Sequence, residues 1–108
     1  MKQYGTAYVT QPTGHSFSPI LDYCTGVKFI TTGYEEEKEL EKIFDASMKN
    51  FDPEFDVIVP VGSVSVNFLL GLFVQKLMKQ NDYKFVNVAI YHEKKYTIYS
   101  IEMELEEE

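Results

Sequence analysis

Three short segments hold the residues best suited to binding chemistry: Thr31-Thr32-Gly33, Gly62-Ser63-Val64-Ser65-Val66-Asn67, and Tyr91-His92 with Tyr96. Each lies at the end of a stretch with the β-branched and aromatic content of a strand. A glycine-serine turn that leaves a strand and opens a helix offers free backbone N–H groups at the positive end of the helix dipole, which suits an anion. Asn67 can read an amide or a base edge. Tyr91 and Tyr96 can stack a planar ring, and His15 or Lys28 can add positive charge. The candidate ligand set is therefore Gly62, Ser63, Ser65, Asn67, Thr32, Gly33, His15, Tyr91, His92 and Tyr96. The glycine spacing is neither that of a P-loop nor G-x-G-x-x-G. A purely structural role stays open for the same residues, with Gly62 making the turn and Ser63 capping the helix.

Catalytic groupings are harder to find. Gly62-Ser63-Val64-Ser65-Val66 lacks the G-x-S-x-G elbow of a serine hydrolase. The single Cys24 reads as packing, and His15 and His92 lack ligand-spaced partners for zinc. No pair stands out among seventeen acidic residues. The expectation is a non-catalytic binder with no cofactor and no metal.

The elements that must position these residues follow from periodicity. Residues 2–10 and 26–33 read as strands, separated by a proline-glycine loop. Glu35, Glu36 and Glu37 suit a first helical turn, and Leu40, Ile43, Phe44, Ser47, Met48 and Phe51 recur at helical spacing until Asp52-Pro53. Residues 55–61 read as a strand buried on both faces, residues 65–80 as a helix, and residues 83–91 and 96–103 as a hairpin. The uncharged run from Val57 to Val74 is long enough to raise the question of a membrane span. Its Pro60, Gly62, Ser63, Ser65, Asn67 and Gly71 answer it as strand, turn and helix.

The order β-β-α-β-α-β-β predicts one small α/β domain over 1–103 with an acidic tail at 104–108. The sheet is expected to be mostly parallel with an antiparallel C-terminal hairpin. Right-handed crossovers put both helices on one face, half of a doubly wound, Rossmann-like fold. Three parallel strand ends, at Thr31–Gly33, Gly62-Ser63 and Tyr91-His92, are then expected to meet, where open α/β sheets bind ligands. In the hairpin Asn87, Ala89 and Tyr91 face Ser100, Ile98 and Tyr96 on an open side, while Val86, Val88, Ile90, Tyr99 and Ile101 lie under the helices. The second helix is apolar nearly all round apart from a seam of Ser63, Asn67, Gly71 and Gln75, with Gly71 expected to admit the sheet. Its exposed remainder suits a homodimer contact.

Composition bounds the partners. The 108 residues carry a net charge of −7, and all ten basic residues are lysine. Without arginine, and with this sign, duplex nucleic acid is an unsuitable partner. One cysteine allows no internal disulfide, which points to a reducing cytoplasm.

The stretches Gly14-His15-Ser16-Phe17, Phe29-Ile30-Thr31-Thr32-Gly33, Gly62-x-x-x-x-Asn67 and Val86-Asn87-Val88-Ala89-Ile90-Tyr91 resemble a group of small tailed-bacteriophage proteins of unknown function. The resemblance implies the same α/β domain, acting in the host cytoplasm. In size and oligomeric, non-catalytic character it is also similar to phage anti-defence sponges, which sequester cyclic nucleotide or cyclic ADP-ribose signals of host immunity. That similarity implies a homo-oligomeric nucleotide binder. The alternative is an acidic inhibitor or adaptor that binds a host protein.

Overall fold

The computed structural model describes residues 3–14 and 16–102. Five strands and two α-helices follow in the order β1 (Tyr4–Val9), β2 (Cys24–Phe29), α1 (Leu40–Ser47), β3 (Val57–Val59), α2 (Val64–Gln80), β4 (Phe85–His92) and β5 (Lys95–Glu102). They build one five-stranded sheet in the order β2-β1-β3-β4-β5. The first four strands are parallel, and β5 pairs antiparallel with β4. The expected α/β architecture, with its antiparallel C-terminal hairpin, is the observed one. The proposed tail at 104–108 lies outside the described residues.

The pleat divides the core into two layers. Tyr8, Ile58 and Val86 point to one face and bury there against Leu40, Phe44 and Met48 from the α1 region and Leu70, Val74 and Met78 of α2. Both α-helices therefore cover the same face. Ala7, Val9, Val57, Val59 and Ala89 point to the other, where Ile20 and Phe17 pack on them.

That second layer corrects the expectation of an open hairpin side. A short 3₁₀ helix at Ser18–Asp22, in the connection between β1 and β2, lays Ile20 across the sheet. Tyr96 and Ala89 are consequently buried, and so is Asn87. The Asn87 amide donates to the carbonyls of Pro53 and Asp56, both at 3.2 Å, and its oxygen accepts from the Ser100 hydroxyl at 2.7 Å. Conversely, the helices stop short of the tip of β4 and of the edge strand β5, where Tyr99 and Ile101 stand opposite Val88 and Val86. Val86 and Val88 pack under them, but Ile90, Tyr99 and Ile101 are exposed.

Element ends also move. The glutamate run starts no α-helix at Glu35: a 3₁₀ turn spans Glu37–Glu39, and α1 begins at Leu40. Met48 and Phe51 stay in the core beyond its end. Phe55 is exposed, because Asp52 closes a turn over Pro53–Phe55 by accepting from the amides of Phe55 and Asp56. The Asp56 carboxylate then locks that turn to β1, accepting from the amides of Asp52 and Thr6, each at 2.8 Å. The hairpin turn is tighter than a four-residue loop: His92 pairs with Lys95, and Glu93 and Lys94 take the positive φ values of a two-residue turn.

Candidate functional site

In a sheet ordered 2-1-3-4-5 the chain leaves β1 and β3 toward opposite edges, so a crevice opens between their C-terminal ends. The insertion of β1 between β2 and β3 puts Thr10 and Gln11, the residues after β1, at the centre of that crevice. Backbone pairing runs past the strands there: the Thr10 amide donates to Val59 O at 3.1 Å and the Thr31 amide to Thr10 O at 2.9 Å. The Thr31 hydroxyl donates to the same Thr10 carbonyl at 2.8 Å.

Gln11 lies over this end of the sheet, between the glycines that follow β2 and β3. Gly62 has φ of +81° and Gly33 of +92°, conformations that suit glycine. A Cβ on Gly62 would run into the Gln11 side chain, and one on Gly33 would touch it. The Gln11 Oε1 atom is buried, and it is the one buried side-chain nitrogen or oxygen among the described residues that lacks a hydrogen-bond partner.

Asn67 is held from inside the protein. Its amide nitrogen donates to Val61 O at 2.9 Å and to Ser63 O at 2.8 Å, while its Oδ1 accepts from the Thr10 hydroxyl. Ser63 is the N-cap of α2, its hydroxyl accepting from the Val66 amide at 3.3 Å. These two residues therefore shape the turn between β3 and α2, and neither side chain is left to read a ligand through those bonds. Ser65 stands exposed on the first turn of the helix.

At the end of β2 the chain supplies its own anion. The Glu35 carboxylate accepts from the amides of Thr32 and Tyr34 and from the Thr32 hydroxyl. Its slight burial opposes ionisation, but the hydrogen bonds from Thr32 and Tyr34 outweigh that and hold the carboxyl below its ordinary value. Thr32 is consequently engaged, and this loop offers a carboxylate to solvent in place of an empty nest.

The sequence-derived set divides in space. Gly62, Ser63, Asn67, Thr32 and Gly33 gather around Thr10 and Gln11, with Ser65 beside them on α2. Tyr91 and Tyr96 meet each other with ring centroids 5.0 Å apart, but Tyr96 borders a different hollow with Tyr4, Tyr23 and Ile98. Burial and the neighbouring Tyr91 push the Tyr96 phenol above its ordinary value. Burial of Tyr96 also removes it as a stacking platform. His92 is exposed and lies 3.6 Å from the Glu93 carboxylate. Lys28 reaches away to donate to Ser47 O at 2.9 Å, at the end of α1. His15 lies outside the described residues. Cys24 is buried in the second core layer.

Gln11, Thr10 and Glu35 are the site residues that reading the sequence missed. The signal for the first two was their place directly after a strand, the same rule that selected Gly62. No three His, Cys, Asp or Glu side chains come together as metal ligands among the described residues. No helix there is long and apolar enough to cross a membrane.

The strand order and crevice define the class as an open, mostly parallel α/β sheet with its switch point between β1 and β3. Comparisons of the chain with protein-family models, with curated proteins and with solved structures find no match.

Proposed function

We propose that this chain is a non-catalytic binder of a small nucleotide-derived ligand, held at the crevice between β1 and β3. The observation that carries the reading is the buried, unpartnered Gln11 Oε1 at the switch point of the sheet. A buried acceptor without a donor is costly, by about 1–3 kcal/mol, and an incoming N–H or O–H removes that cost. A base edge or a ribose hydroxyl supplies such a donor, and the neighbouring Gly62, Ser63 and Ser65 are exposed to solvent. The ligand-reading role assigned to Asn67 passes to Gln11, with Asn67 as the residue that positions the turn.

The biological role that fits this reading is sequestration of a cyclic nucleotide or cyclic ADP-ribose immune signal in a phage-infected host. It is tested by isothermal titration of the protein with cyclic di- and trinucleotides and cyclic ADP-ribose isomers. The expected result is unmodified ligand bound by wild type and lost in Gln11→Leu, which keeps the volume and removes the acceptor. No binding by wild type, or equal binding by the folded variant, overturns it. The second reading, an adaptor of a host protein, is favoured by the exposed apolar stripe of α2, whose occupant is decided by the experiment that follows.

A further inference from the structure

A helix lying on one sheet face hides one side, yet α2 is apolar nearly all round. Leu70, Val74 and Met78 form its buried side. On another, Val64 is 84 % exposed and Phe68 66 %. With Gly71 and Gln75 they make one stripe at the spacing i, i+4, i+7, i+11. Gly71 and Gln75 border an apolar hollow of about 270 Å³, closed below by Val86, Val88 and Ile101. Next to it β4 and β5 leave Ile90, Tyr99 and Ile101 exposed by 43, 53 and 48 %.

Gly71 is unexplained within the single chain. A Cβ there meets nothing within 4 Å, so the sheet does not approach it as the sequence suggested. Glycine inside a helix nevertheless costs about 1 kcal/mol against alanine. A close neighbour from outside the chain accounts for it.

We propose that this surface joins two copies of the chain in a two-fold symmetric dimer, with α2 antiparallel to its counterpart and Phe68 of each copy seated in the hollow beside Gly71 of the other. The spacing is self-complementary: placing Phe68 opposite Gly71 also places Val64 opposite Gln75, because both pairs share a midpoint between Leu69 and Leu70. An isologous contact requires such reciprocity. The exposed parts of Val64, Phe68, Ile90, Tyr99 and Ile101 amount to roughly 500 Å², as large as the largest apolar patch of a typical monomer. Two copies bury roughly 1,000 Å² from these side chains alone, which reaches the floor for a specific interface. The second copy also gives α2 its second cover. Two chains of net charge −7 repel, so added salt strengthens the dimer.

Sedimentation equilibrium of the full chain tests this. Wild type is expected at twice the 12.5 kDa chain mass, more so at higher salt. Phe68→Asp, at an exposed position, is expected to weaken association about thirtyfold or more while circular dichroism stays unchanged. Gly71→Leu fills the hollow and has the same effect. A register-specific check mixes Phe68→Cys with Gly71→Cys under oxidising conditions; a cross-linked heterodimer is expected, Cys24 being buried. Monomeric wild type at all concentrations, or a dimer indifferent to both substitutions, overturns the proposal. Wild type that stays monomeric but captures a purified host protein through Phe68 also overturns it and assigns the stripe to that partner. None of these outcomes bears on the ligand titration with Gln11→Leu.

Discussion

Asn67→Ala separates a positioning residue from a ligand reader. The side chain makes three hydrogen bonds, to Val61 O, Ser63 O and the Thr10 hydroxyl. Ser63 O keeps the Asn67 backbone amide at 3.0 Å after truncation, so Val61 O loses most. At about 1 kcal/mol per hydrogen bond, and more where an acceptor is left unpaired, the loss is roughly 2–4 kcal/mol. For a domain of this size that lowers Tm by roughly 10–20 °C, with the protein still folded at 25 °C. Urea denaturation at fixed protein concentration measures it, together with Thr10→Val and the double variant. The two side chains touch, so the double variant is expected to lose less than the sum, by about 0.5–1.5 kcal/mol. A loss under about 0.5 kcal/mol for Asn67→Ala, or full additivity, refutes the positioning role.

Four further outcomes follow. Glu35 has a lowered folded pKa, so its stabilisation is complete above its ordinary value of 4.5 and disappears as pH falls through the lowered one. Carboxyl NMR is expected to find Glu35 titrating below its ordinary value of 4.5, and Glu35→Gln to flatten the acid limb of stability. Tyr8 and Tyr96 are raised from 10.0, in Tyr8 by burial and then by Asp56, so their contribution is complete below pH 10 and lost above it. Tyrosinate absorbance of Tyr8→Phe and Tyr96→Phe, each subtracted from wild type, is expected to place both phenols above 10.0, and Asp56→Asn to bring Tyr8 earlier. Glu93 and Lys94 occupy a turn that suits Asn-Gly, so Glu93→Asn with Lys94→Gly is expected to gain about 0.5–1 kcal/mol in urea melts. In the Phe68→Asp background Gly71→Ala is expected to gain about 1 kcal/mol, since its Cβ enters open space.

Local pattern carried the element order, because alternation in β4 and β5 and helical spacing in α1 and α2 are properties of neighbouring residues. It even carried the hairpin register, with Asn87 opposite Ser100 and Tyr91 opposite Tyr96. The place of β1 is a different kind of fact. Whether β1 joins an edge or enters between β2 and β3 depends on non-local pairing, and that choice brings Gln11 between Gly33 and Gly62. The second core layer was hidden for a related reason: Phe17 and Ile20 lie in and beside a 3₁₀ helix of five residues, too short for any period to reveal that they roof Ala89 and Tyr96. Asn67 was found for its chemistry with both roles open, since an amide that can bind a ligand can equally bind the backbone, as it does six residues away at Val61 O.

Ligand binding at the β1–β3 crevice is read out residue by residue in an amide NMR titration of the isotope-labelled protein with the tightest nucleotide from the calorimetric panel. Shifts are expected at the Gln11 side-chain amide and at the backbone of Gly33, Gly62, Ser63 and Ser65, with β5 unmoved. Shifts confined to the hollow of Tyr4, Tyr23 and Tyr96, or to the α2 stripe, would contradict it.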